Sequence, residues 1–413
     1  MSPTAIVLGA GMVGTATALA LQARGWEVTL IDRRPAGQET SFGNAGIIEA
    51  EAAEPFAMPR DPASLWAIAT GRNNEVAWDL RGVLAQAPAL WRYFRASAPA
   101  RHLALSRHYA ALTRRATSDH APLIAAAGAD PLIRRDGFYM VMRDPRALET
   151  AWTEAQRLRE SYGVASEILD STALRAAEPV SARAAGAILW PEAWSCRDPG
   201  ALVSAYAALF TARGGRMMHA DATQLQRKGS GWELGGAEAQ HVVLALGPFS
   251  NALLAPLIGL SLPMVLKRGY HCHMEGAALP SRPVLDADYG VVAAPMVRGL
   301  RLLTGADLCA HPARAPRQLA RGEAALRQLL DLGQRSTDPV WTGQRPCMAD
   351  MLPVLGPVTD QRGMWIHTGH GHQGFTLGPT TAALLADAMT EGRPLPDALL
   401  LSRARGHRWH GAR

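Results

Sequence analysis

Three glycines and one acid near the start of the chain have the spacing of a site for phosphate and ribose. The pattern Gly9-x-Gly11-x-x-Gly14 follows one apolar run, and a second apolar run ends at Asp32. Gly9 permits a tight turn, Gly11 lets a pyrophosphate approach the backbone, and Gly14 lets a helix pack closely on a strand. Amides at the start of that helix bind phosphate, and a carboxylate at Asp32 accepts hydrogen bonds from ribose hydroxyls. The pattern therefore predicts a bound dinucleotide.

These residues leave open whether the dinucleotide is a nicotinamide or a flavin. In a nicotinamide enzyme, Arg33 and Arg34 would bind a 2′-phosphate. That alternative gives no role to two other segments, the small-residue stretch 41–46 and the glycine-rich stretch 369–374. The choice between the two cofactors therefore depends on what these segments do.

Length and composition predict a globular protein with more than one domain. The chain has 413 residues, of which 48% are hydrophobic, and single cores stop growing near about 250–300 residues. No run approaches the about 18 apolar residues that span a bilayer, and the first strand leaves no room for a signal peptide, so we expect a cytoplasmic protein. The cysteines lack metal-ligand spacing, which predicts free thiols and no metal site; they are Cys196, Cys272, Cys309 and Cys347.

The net charge of +6 raises the question of an anionic partner such as nucleic acid or a membrane surface. Lys228 and Lys267 are the two lysines of the chain, and its arginines are dispersed except in the segment 403–413. We therefore predict no nucleic-acid partner. The segment 403–413 is expected to be a solvated end, with peripheral contact to a membrane as the alternative.

Hydrophobic periodicity and capping residues predict a chain of mixed helices and strands. Helices are expected over 62–128, 145–162, from Asp198-Pro199 to Gly214, over 315–332 and over 378–391. Large side chains in the first of these are spaced for buried faces: Trp66, Trp78, Leu80, Leu84, Leu90, Trp91 and Phe94. Strands are expected over 137–143, 186–190, 216–220, 232–234, 241–247, 264–274 and 283–305, with turns at Arg268-Gly269 and Arg298-Gly299.

Several further motifs occur in a fixed order along the chain. They are Ser41-Phe42-Gly43-Asn44-Ala45-Gly46, Leu246-Gly247-Pro248-Phe249-Ser250, Arg268-Gly269-Tyr270-His271, Trp341-Thr342-Gly343-Gln344-Arg345-Pro346 and Gly369-His370-Gly371-His372-Gln373-Gly374. With the N-terminal fingerprint, this set resembles the D-amino acid oxidase superfamily of FAD-dependent amine oxidoreductases. Within it, the chain is similar to the branch that holds D-amino acid dehydrogenases and glyphosate oxidoreductase.

The resemblance implies an α/β, two-domain fold. A Rossmann-like FAD-binding domain of the glutathione-reductase type would hold an inserted substrate domain of mixed antiparallel sheet plus helices. We assign 1–50, 196–260 and 341–413 to the FAD-binding domain, and 51–195 and 261–340 to the substrate-binding domain.

The resemblance also implies a set of FAD-binding residues. They are Gly9, Ala10, Gly11, Met12, Val13, Gly14, Asp32, Arg33, Arg34, Ser41, Asn44, Ala45, Gly46, Ile47, Thr223, Gly247, Gly371, His372, Gln373, Gly374 and Phe375. Gly247 is preferred to Leu246 as a pyrophosphate contact, because relatives carry a small or hydroxylated residue where Leu246 stands. Cys347 does not match the position of known flavin attachment, so the FAD is expected to be non-covalent. His370 and His372 belong to the flavin-binding turn and are expected to position rather than to catalyse.

Arg345 is the candidate for binding a substrate carboxylate, since a guanidinium grips a planar anion with two hydrogen bonds. The resemblance points to the same Arg-Pro pair, and the alternative is a salt bridge from Arg345 to Asp350. Tyr270 and His271 are candidates for closing the pocket or for core packing. Arg268 is a weaker candidate for a second anion contact.

The reaction that the resemblance implies is oxidation of the C–N bond of an amino acid. A D-amino acid, or a related cyclic or N-substituted one, would bind with a neutral amine and give a hydride from Cα to flavin N5. The imine would hydrolyse to a 2-oxo acid, and oxygen or a quinone would reoxidise the flavin. A tRNA-modifying or membrane-docked flavoprotein of the same superfamily is the alternative.

Overall fold

The computed structural model of the protein describes residues 2–72, 74–181 and 183–404. Most of the basic segment 403–413, namely 405–413, lies outside these residues, so the expectation for it is not addressed. Within the described residues the helices are α1 Met12–Gln22, α2 Pro62–Ala69, α3 Leu80–Ala96, α4 Pro99–Thr113, α5 Ala116–Ala126, α6 Pro145–Tyr162, α7 Ser171–Ala177, α8 Pro199–Ala212, α9 Ser250–Ile258, α10 Arg317–Leu326, α11 Gly374–Glu391 and α12 Leu401–Ala404. None of these helices is both long enough and apolar enough to cross a bilayer.

The strands of the same residues are β1 Thr4–Leu8, β2 Glu27–Asp32, β3 Ile47–Ile48, β4 Val76–Ala77, β5 Ile133–Arg134, β6 Phe138–Met142, β7 Glu167–Asp170, β8 Gly186–Trp190, β9 Trp194–Cys196, β10 Arg216–His219, β11 Gln226–Lys228, β12 Gly231–Leu234, β13 Ala237–Ala239, β14 His241–Leu244, β15 Met264–Glu275, β16 Val284–Asp286, β17 Val291–Met296, β18 Gly299–Leu303, β19 Ala306–Asp307, β20 Gln334–Arg335, β21 Trp341–Met348, β22 Val354–Pro357 and β23 Met364–Thr368. Helices and strands are interleaved along the chain, as the α/β fold class requires.

A six-stranded sheet in the order β10-β2-β1-β14-β23-β22 carries the N-terminal fingerprint. Its strands are parallel except for β22. The strands β1, β2 and β14 end side by side, with Leu8 opposite both Ile31 and Leu244. Helices α1, α8 and α11 pack together over this sheet, and the small sheet of β11, β12 and β13 packs near β1 and β14. Ligands of such sheets bind at the carboxyl ends of the strands, which is where the fingerprint lies.

A second sheet of eleven strands is organised around β15. From Met264 to His271, β15 pairs without a break with β21. The turn that the sequence predicts at Arg268-Gly269 is therefore wrong, because both residues continue the antiparallel ladder. The turn at Arg298-Gly299 is confirmed between β17 and β18.

Strand β21, which carries Arg345, pairs with β15 and so lies in the second sheet. The sequence-based division places all of 341–413 in the FAD-binding domain, and the pairing of 341–348 differs from it. The domain ranges remain a prediction for the rest of the chain. The arrangement places Arg345 opposite the nucleotide-binding sheet rather than within it.

The helical region after β3 exposes side chains that the sequence predicts to be buried. Trp66 is 64% exposed, Leu84 is 63% exposed and Trp91 is 61% exposed, so this prediction is wrong for them. The buried face of α3 consists of Tyr93 and the small residues Gly82, Ala89 and Ala96. Because a Cβ at Gly82 would lie 1.9 Å from the carbonyl oxygen of Leu308, the helix packs at Gly82 too closely for any side chain there.

Helix boundaries follow the local capping residues. Helix α6 begins with Asp144 accepting hydrogen bonds from two backbone amides, and it ends at Gly163 in the left-handed conformation. Asp198 caps α8 by accepting a hydrogen bond from one backbone amide, that of Ala201. Helix α10 is shorter than predicted, and α11 begins at Gly374, four residues before the predicted start at 378.

Gly14 is the glycine at which an added methyl group meets the backbone most closely. A Cβ there would lie 1.7 Å from the carbonyl oxygen of Gly9. Helix propensity alone favours alanine over glycine by about 1 kcal/mol, whereas overpacking costs about 1–3 kcal/mol. We expect Gly14→Ala to lower the free energy of unfolding by at least that second amount, measured as a lower Tm.

The matched control is Gly374→Ala, also in a helix, where the nearest atom to an added Cβ is 3.6 Å away. Its Tm is expected to stay close to that of the unchanged protein. A Gly14→Ala variant with an unchanged or higher Tm would contradict the close approach of α1 to β1.

Candidate active site

A cavity of about 1040 Å³ runs between the two sheets. Gly9, Asp32 and Thr223 line one end, and Arg345 and His372 line the other. Its volume is at the upper end of the about 300–1,000 Å³ that ligand sites occupy. The cavity therefore joins the nucleotide fingerprint to the candidate substrate arginine.

The fingerprint end of the cavity holds a carboxylate in a fixed orientation. Asp32 ends β2, and its Oδ2 accepts a hydrogen bond of 2.7 Å from the Ala10 amide. Its Oδ1 accepts one of 2.9 Å from the Arg34 amide. Each oxygen keeps a further acceptor position, so the oriented carboxylate can still accept hydrogen bonds from a ligand.

The side chains of Arg33 and Arg34 form ion pairs with an acid of the chain. Both guanidinium groups pair with Glu39, at 2.8 Å and 3.1 Å, and Arg33 also lies over the ring of Phe249. A site for a 2′-phosphate would need these guanidinium groups free. This arrangement removes the role that the nicotinamide alternative gives to them.

The start of α1 is held by a loop from the next part of the chain. The Met12 amide donates a hydrogen bond of 3.0 Å to Oγ of Ser41, and Gly11 at the helix start makes no side-chain cap. Gly9 has a φ of +103°, and a Cβ there would lie 2.5 Å from the carbonyl oxygen of Ala245. At this turn, backbone atoms and the Ser41 hydroxyl therefore face the cavity in place of bulky side chains.

Most of the predicted FAD-binding residues line this cavity. They are Gly9, Gly11, Met12, Val13, Asp32, Arg33, Ser41, Asn44, Ala45, Ile47, Thr223, Gly247, Gly371, His372, Gly374 and Phe375. Leu246 lines it as well. The other predicted residues adjoin it, with Ala10 and Arg34 holding Asp32, Gly14 packing on Gly9, Gly46 bonded to Asn44 and Gln373 bonded to Glu49.

The far end of the cavity contains the start of helix α11. No side chain caps this helix, and Gly371 and Gly374 line the cavity beside it. Because the first amides of a helix lack partners within it, these donors can stabilise negative charge. Such donors would suit the negative charge that an isoalloxazine ring carries when it is reduced.

The two histidines of this turn are neutral. Burial, together with Arg345 and Lys267, lowers the pKa of His372 to about 3. Burial lowers the pKa of His370 to about 3, and its Nε2 lies 3.0 Å from Oγ1 of Thr381. The His370 ring is held by its hydrogen bond, whereas Nε2 of His372 has no partner within the described residues. Both neutral rings agree with the predicted positioning roles.

Arg345 is held by backbone carbonyls and not by an acid. Its Nη1 donates to the Gly305 carbonyl over 2.8 Å, and its Nη2 donates to the Thr304 carbonyl over 3.1 Å. Asp350 pairs instead with Arg403 at 2.8 Å, so the alternative salt bridge to Arg345 is wrong. A guanidinium has five N–H donors, and those not bound to carbonyls remain for a ligand.

Tyr270 and His271 are the candidates for closing the pocket or for core packing, and Tyr270 lines the cavity. The Tyr270 hydroxyl donates to Asp307 over 2.5 Å and accepts from the Ala313 amide. His271 stacks on Trp341 with ring centroids 4.9 Å apart, and it is not among the described residues that line the cavity. Neighbouring residues of a strand face opposite ways, so only Tyr270 faces the cavity, whereas the stacking of His271 agrees with the alternative of core packing.

The Arg268 side chain also has a partner within the protein. It is buried and pairs with Asp307 at 3.2 Å. Its predicted role as a second anion contact therefore does not fit this geometry.

The residues of the cavity wall that the sequence does not predict include the polar side chains of Glu49, Glu51, Tyr93 and Lys267. Lys267 donates a hydrogen bond of 3.0 Å to the Tyr93 hydroxyl, and Gln373 donates to Glu49. Glu49 and Glu51 lie within five residues of the motif 41–46, which the resemblance assigns to the flavin. Their closeness to this motif is therefore a sequence signal for the cavity. The position of Lys267 opposite Arg345 in the β15 and β21 ladder required the strand register.

The residues present fit an FAD molecule. The Asp32 carboxylate suits the adenosine ribose, the glycine turn and Ser41 suit the pyrophosphate, and the uncapped α11 suits the ring. A side chain at Gly11 would approach Oγ of Ser41 to 3.3 Å and so fill the phosphate position. The elongated cavity joins all three places.

Removal of the Asp32 carboxylate provides a test of this orientation. We expect Asp32→Ala to weaken FAD binding by about tenfold to hundredfold, as loss of hydrogen bonds to a charged group does. The Kd of FAD is measured by flavin fluorescence, and Asp130→Ala, which removes an exposed acid, is the control. Equal FAD affinity in the Asp32→Ala variant would contradict the ribose role.

Curated relatives match the chain over nearly its whole length. A D-amino acid dehydrogenase of Cereibacter sphaeroides is 31% identical over 409 residues, covering 94% of this chain and 92% of the relative. A D-amino acid dehydrogenase of Methylobacterium nodulans is 32% identical over 417 residues, with 94% and 96% covered.

Solved structures share the fold. Glycine oxidase from Geobacillus kaustophilus has a TM-score of 0.70 at 20% identity, with 97% of this chain and 99% of that chain covered. L-amino acid deaminase from Proteus vulgaris has a TM-score of 0.70 at 16% identity, with 97% of each chain covered. The family model described as FAD dependent oxidoreductase (DAO) matches residues 4–388. The chain therefore belongs to the DAO family of FAD-dependent oxidoreductases.

Proposed function

We propose that the enzyme oxidises the Cα–N bond of an amino acid whose carboxylate binds Arg345. The observation that carries the proposal is the place of Arg345, in the same cavity as the uncapped start of α11. The names of the relatives, D-amino acid dehydrogenases at 31% and 32% identity, support a D-amino acid or a related cyclic or N-substituted one.

The residues around Arg345 prepare it for an anion. A Cβ at Gly269 would lie 2.7 Å from Nη2 of Arg345, so the glycine makes room for the guanidinium. Carbonyls at 304 and 305 hold the group without neutralising its charge. A carboxylate entering this buried place gains charge-assisted hydrogen bonds.

The cofactor end of the cavity would hold FAD through Asp32, the glycine turn, Ser41 and the start of α11. FAD supplies the acceptor for the hydride that leaves Cα. The amides of α11 would stabilise the negative charge that accompanies this transfer. The neutral histidines 370 and 372 add no competing charge, and Phe56 packs on His372 with ring centroids 4.8 Å apart.

A non-covalent FAD is part of the proposal. Cys347 lines the cavity, but burial raises the pKa of its thiol despite the opposing effect of Lys267 and Arg345. A thiol is a weak nucleophile compared with its thiolate. This protonation state disfavours a bond from Cys347 to the cofactor.

We also propose oxygen or a quinone as the electron acceptor, for a cytoplasmic enzyme with peripheral membrane contact. The exposed apolar side chains of Trp66, Leu84 and Trp91 support this contact. They lie on helices α2 and α3, where arginines such as Arg92 and Arg95 accompany them. Basic and aromatic side chains together favour the surface of an anionic bilayer.

Anaerobic reduction of the flavin tests the proposed function. We expect a panel of D-amino, cyclic and N-alkyl amino acids to bleach the flavin absorbance, and L-amino acids to serve as the stereochemical comparison. Admission of air or of a soluble quinone to the reduced enzyme then identifies the acceptor. Absence of bleaching with every amino acid would contradict the proposal.

Substitution of Arg345 by lysine keeps the positive charge and removes the planar pair of donors. We expect Arg345→Lys to raise KM for amino acids by about tenfold to hundredfold, because charge-assisted hydrogen bonds to the carboxylate are lost. Arg403→Lys, at an arginine that binds Asp350, is the matched control. Unchanged KM in a variant with full flavin content would remove Arg345 from the site.

A further inference from the structure

Two acids in the cavity have no role in the proposed function so far. Glu49 and Glu51 directly follow β3 and both line the cavity that contains Arg345. Gln373 donates a hydrogen bond to Glu49. Neither acid forms an ion pair within the described residues, so the cavity wall carries two carboxylates without a cation.

Other charged groups of the cavity wall already have partners. Glu54 and Glu154 both bind Arg157, at 2.9 Å and 2.5 Å. Lys267 donates to the Tyr93 hydroxyl. Glu49 and Glu51 differ from these acids because neither forms an ion pair within the described residues, although the charge of Arg345 acts on Glu49.

The carboxyl group of Glu51 has fewer hydrogen-bond partners than that of Glu49. Its side chain is 6% exposed, and its Oε2 has no hydrogen-bond partner in the described structure. Burial, and next the charge of Glu49, raises its pKa well above the ordinary value. Burial raises the pKa of Glu49 to about 7, although Gln373 and Arg345 oppose this rise. Buried carboxylates of this kind are costly unless a cation accompanies them.

Arg345, Glu49 and Glu51 line one cavity. An amino acid whose carboxylate binds Arg345 would therefore have Glu49 and Glu51 on the wall around its side chain. The charge of Arg345 lowers the pKa of Glu49, whereas the charge of Glu49 raises the pKa of Glu51. A cation beside these two acids would favour their ionised forms and oppose the effect of burial.

We propose that Glu49 and Glu51 form a subsite for a second cationic group of the substrate, a side-chain guanidinium or ammonium. This inference rests on the proposed function, because it extends the substrate from the carboxylate bound at Arg345. Basic amino acids are then the preferred substrate class. An organic cation fits better than a metal ion, since a hard cation takes about six or more oxygen ligands and the described residues offer no group of three or more potential ligands.

Arginine and citrulline provide a matched pair of substrates, because citrulline replaces the guanidinium by a neutral group of nearly the same shape. We expect kcat/KM for arginine of the preferred enantiomer to exceed that for citrulline. In Glu49→Gln and Glu51→Gln, kcat/KM for arginine is expected to fall by about tenfold to hundredfold, while that for citrulline changes little. Glu154→Gln, at an acid of the same wall that already has its cation, is the control.

A binding measurement separates this inference from the proposed function. The ligands are 4-guanidinobutyrate and its neutral counterpart 4-ureidobutyrate, which lack an α-amine and cannot be oxidised at that position. We expect the holoenzyme to bind the guanidino acid more tightly in calorimetry, and Glu51→Gln to abolish the difference.

The outcomes are distinct. Flavin bleaching by citrulline but not better by arginine, with equal Kd for the two butyrates, would overturn the cationic subsite and leave the proposed function intact. Equal losses with arginine and citrulline in the Glu49→Gln and Glu51→Gln variants would also overturn it, by showing that these acids serve the cofactor or the α-amine. Preferential binding of the guanidino acid without any bleaching would support the subsite and contradict the proposed oxidation.

Discussion

Two helices begin at one cavity with backbone amides that their own cap residues do not bind, and the site depends on this constraint. At α1 one of these amides, that of Met12, donates to Ser41. Helices α1 and α11 pack against each other, and neither start is satisfied by a side chain of its own cap residue. Unpartnered amides in a buried place require an acceptor. The glycine turn at the first helix and the 371–374 turn at the second leave that acceptor to a ligand. An anionic, elongated cofactor would supply acceptors to the starts of both helices.

Burial affects the charged and the titratable groups of the cavity differently. Arg345 is held by carbonyl oxygens, so its charge remains available. His370 and His372 lie beside it with strongly lowered pKa values. Their neutrality follows from desolvation, which disfavours a charged imidazole. The same effect acts on Glu49 and Glu51 in the opposite direction and makes them the unbalanced groups of the site.

Features set by local sequence were predicted well, and features set by register were not. The fingerprint and Asp32, and the caps of α6 and α8, depend on residues close together in the chain. The motif around Arg345 identified a cavity residue. The partners of Tyr270 and His271 lie on strands that pair with β15, and Glu49 accepts a hydrogen bond from Gln373, far away in sequence. Such long-range contacts leave no local pattern.

The order of the sheet affects how the protein is made. Strand β1 lies between β2 and β14, and β14 pairs on its other side with β23, which ends at Thr368. Helix α11, which packs on α1, follows β23. Because chains emerge from the ribosome N-terminus first, the glycine fingerprint is made long before Gly371 and Gly374, which line the same cavity. A chain that has not yet reached these glycines therefore has only one end of the cofactor cavity.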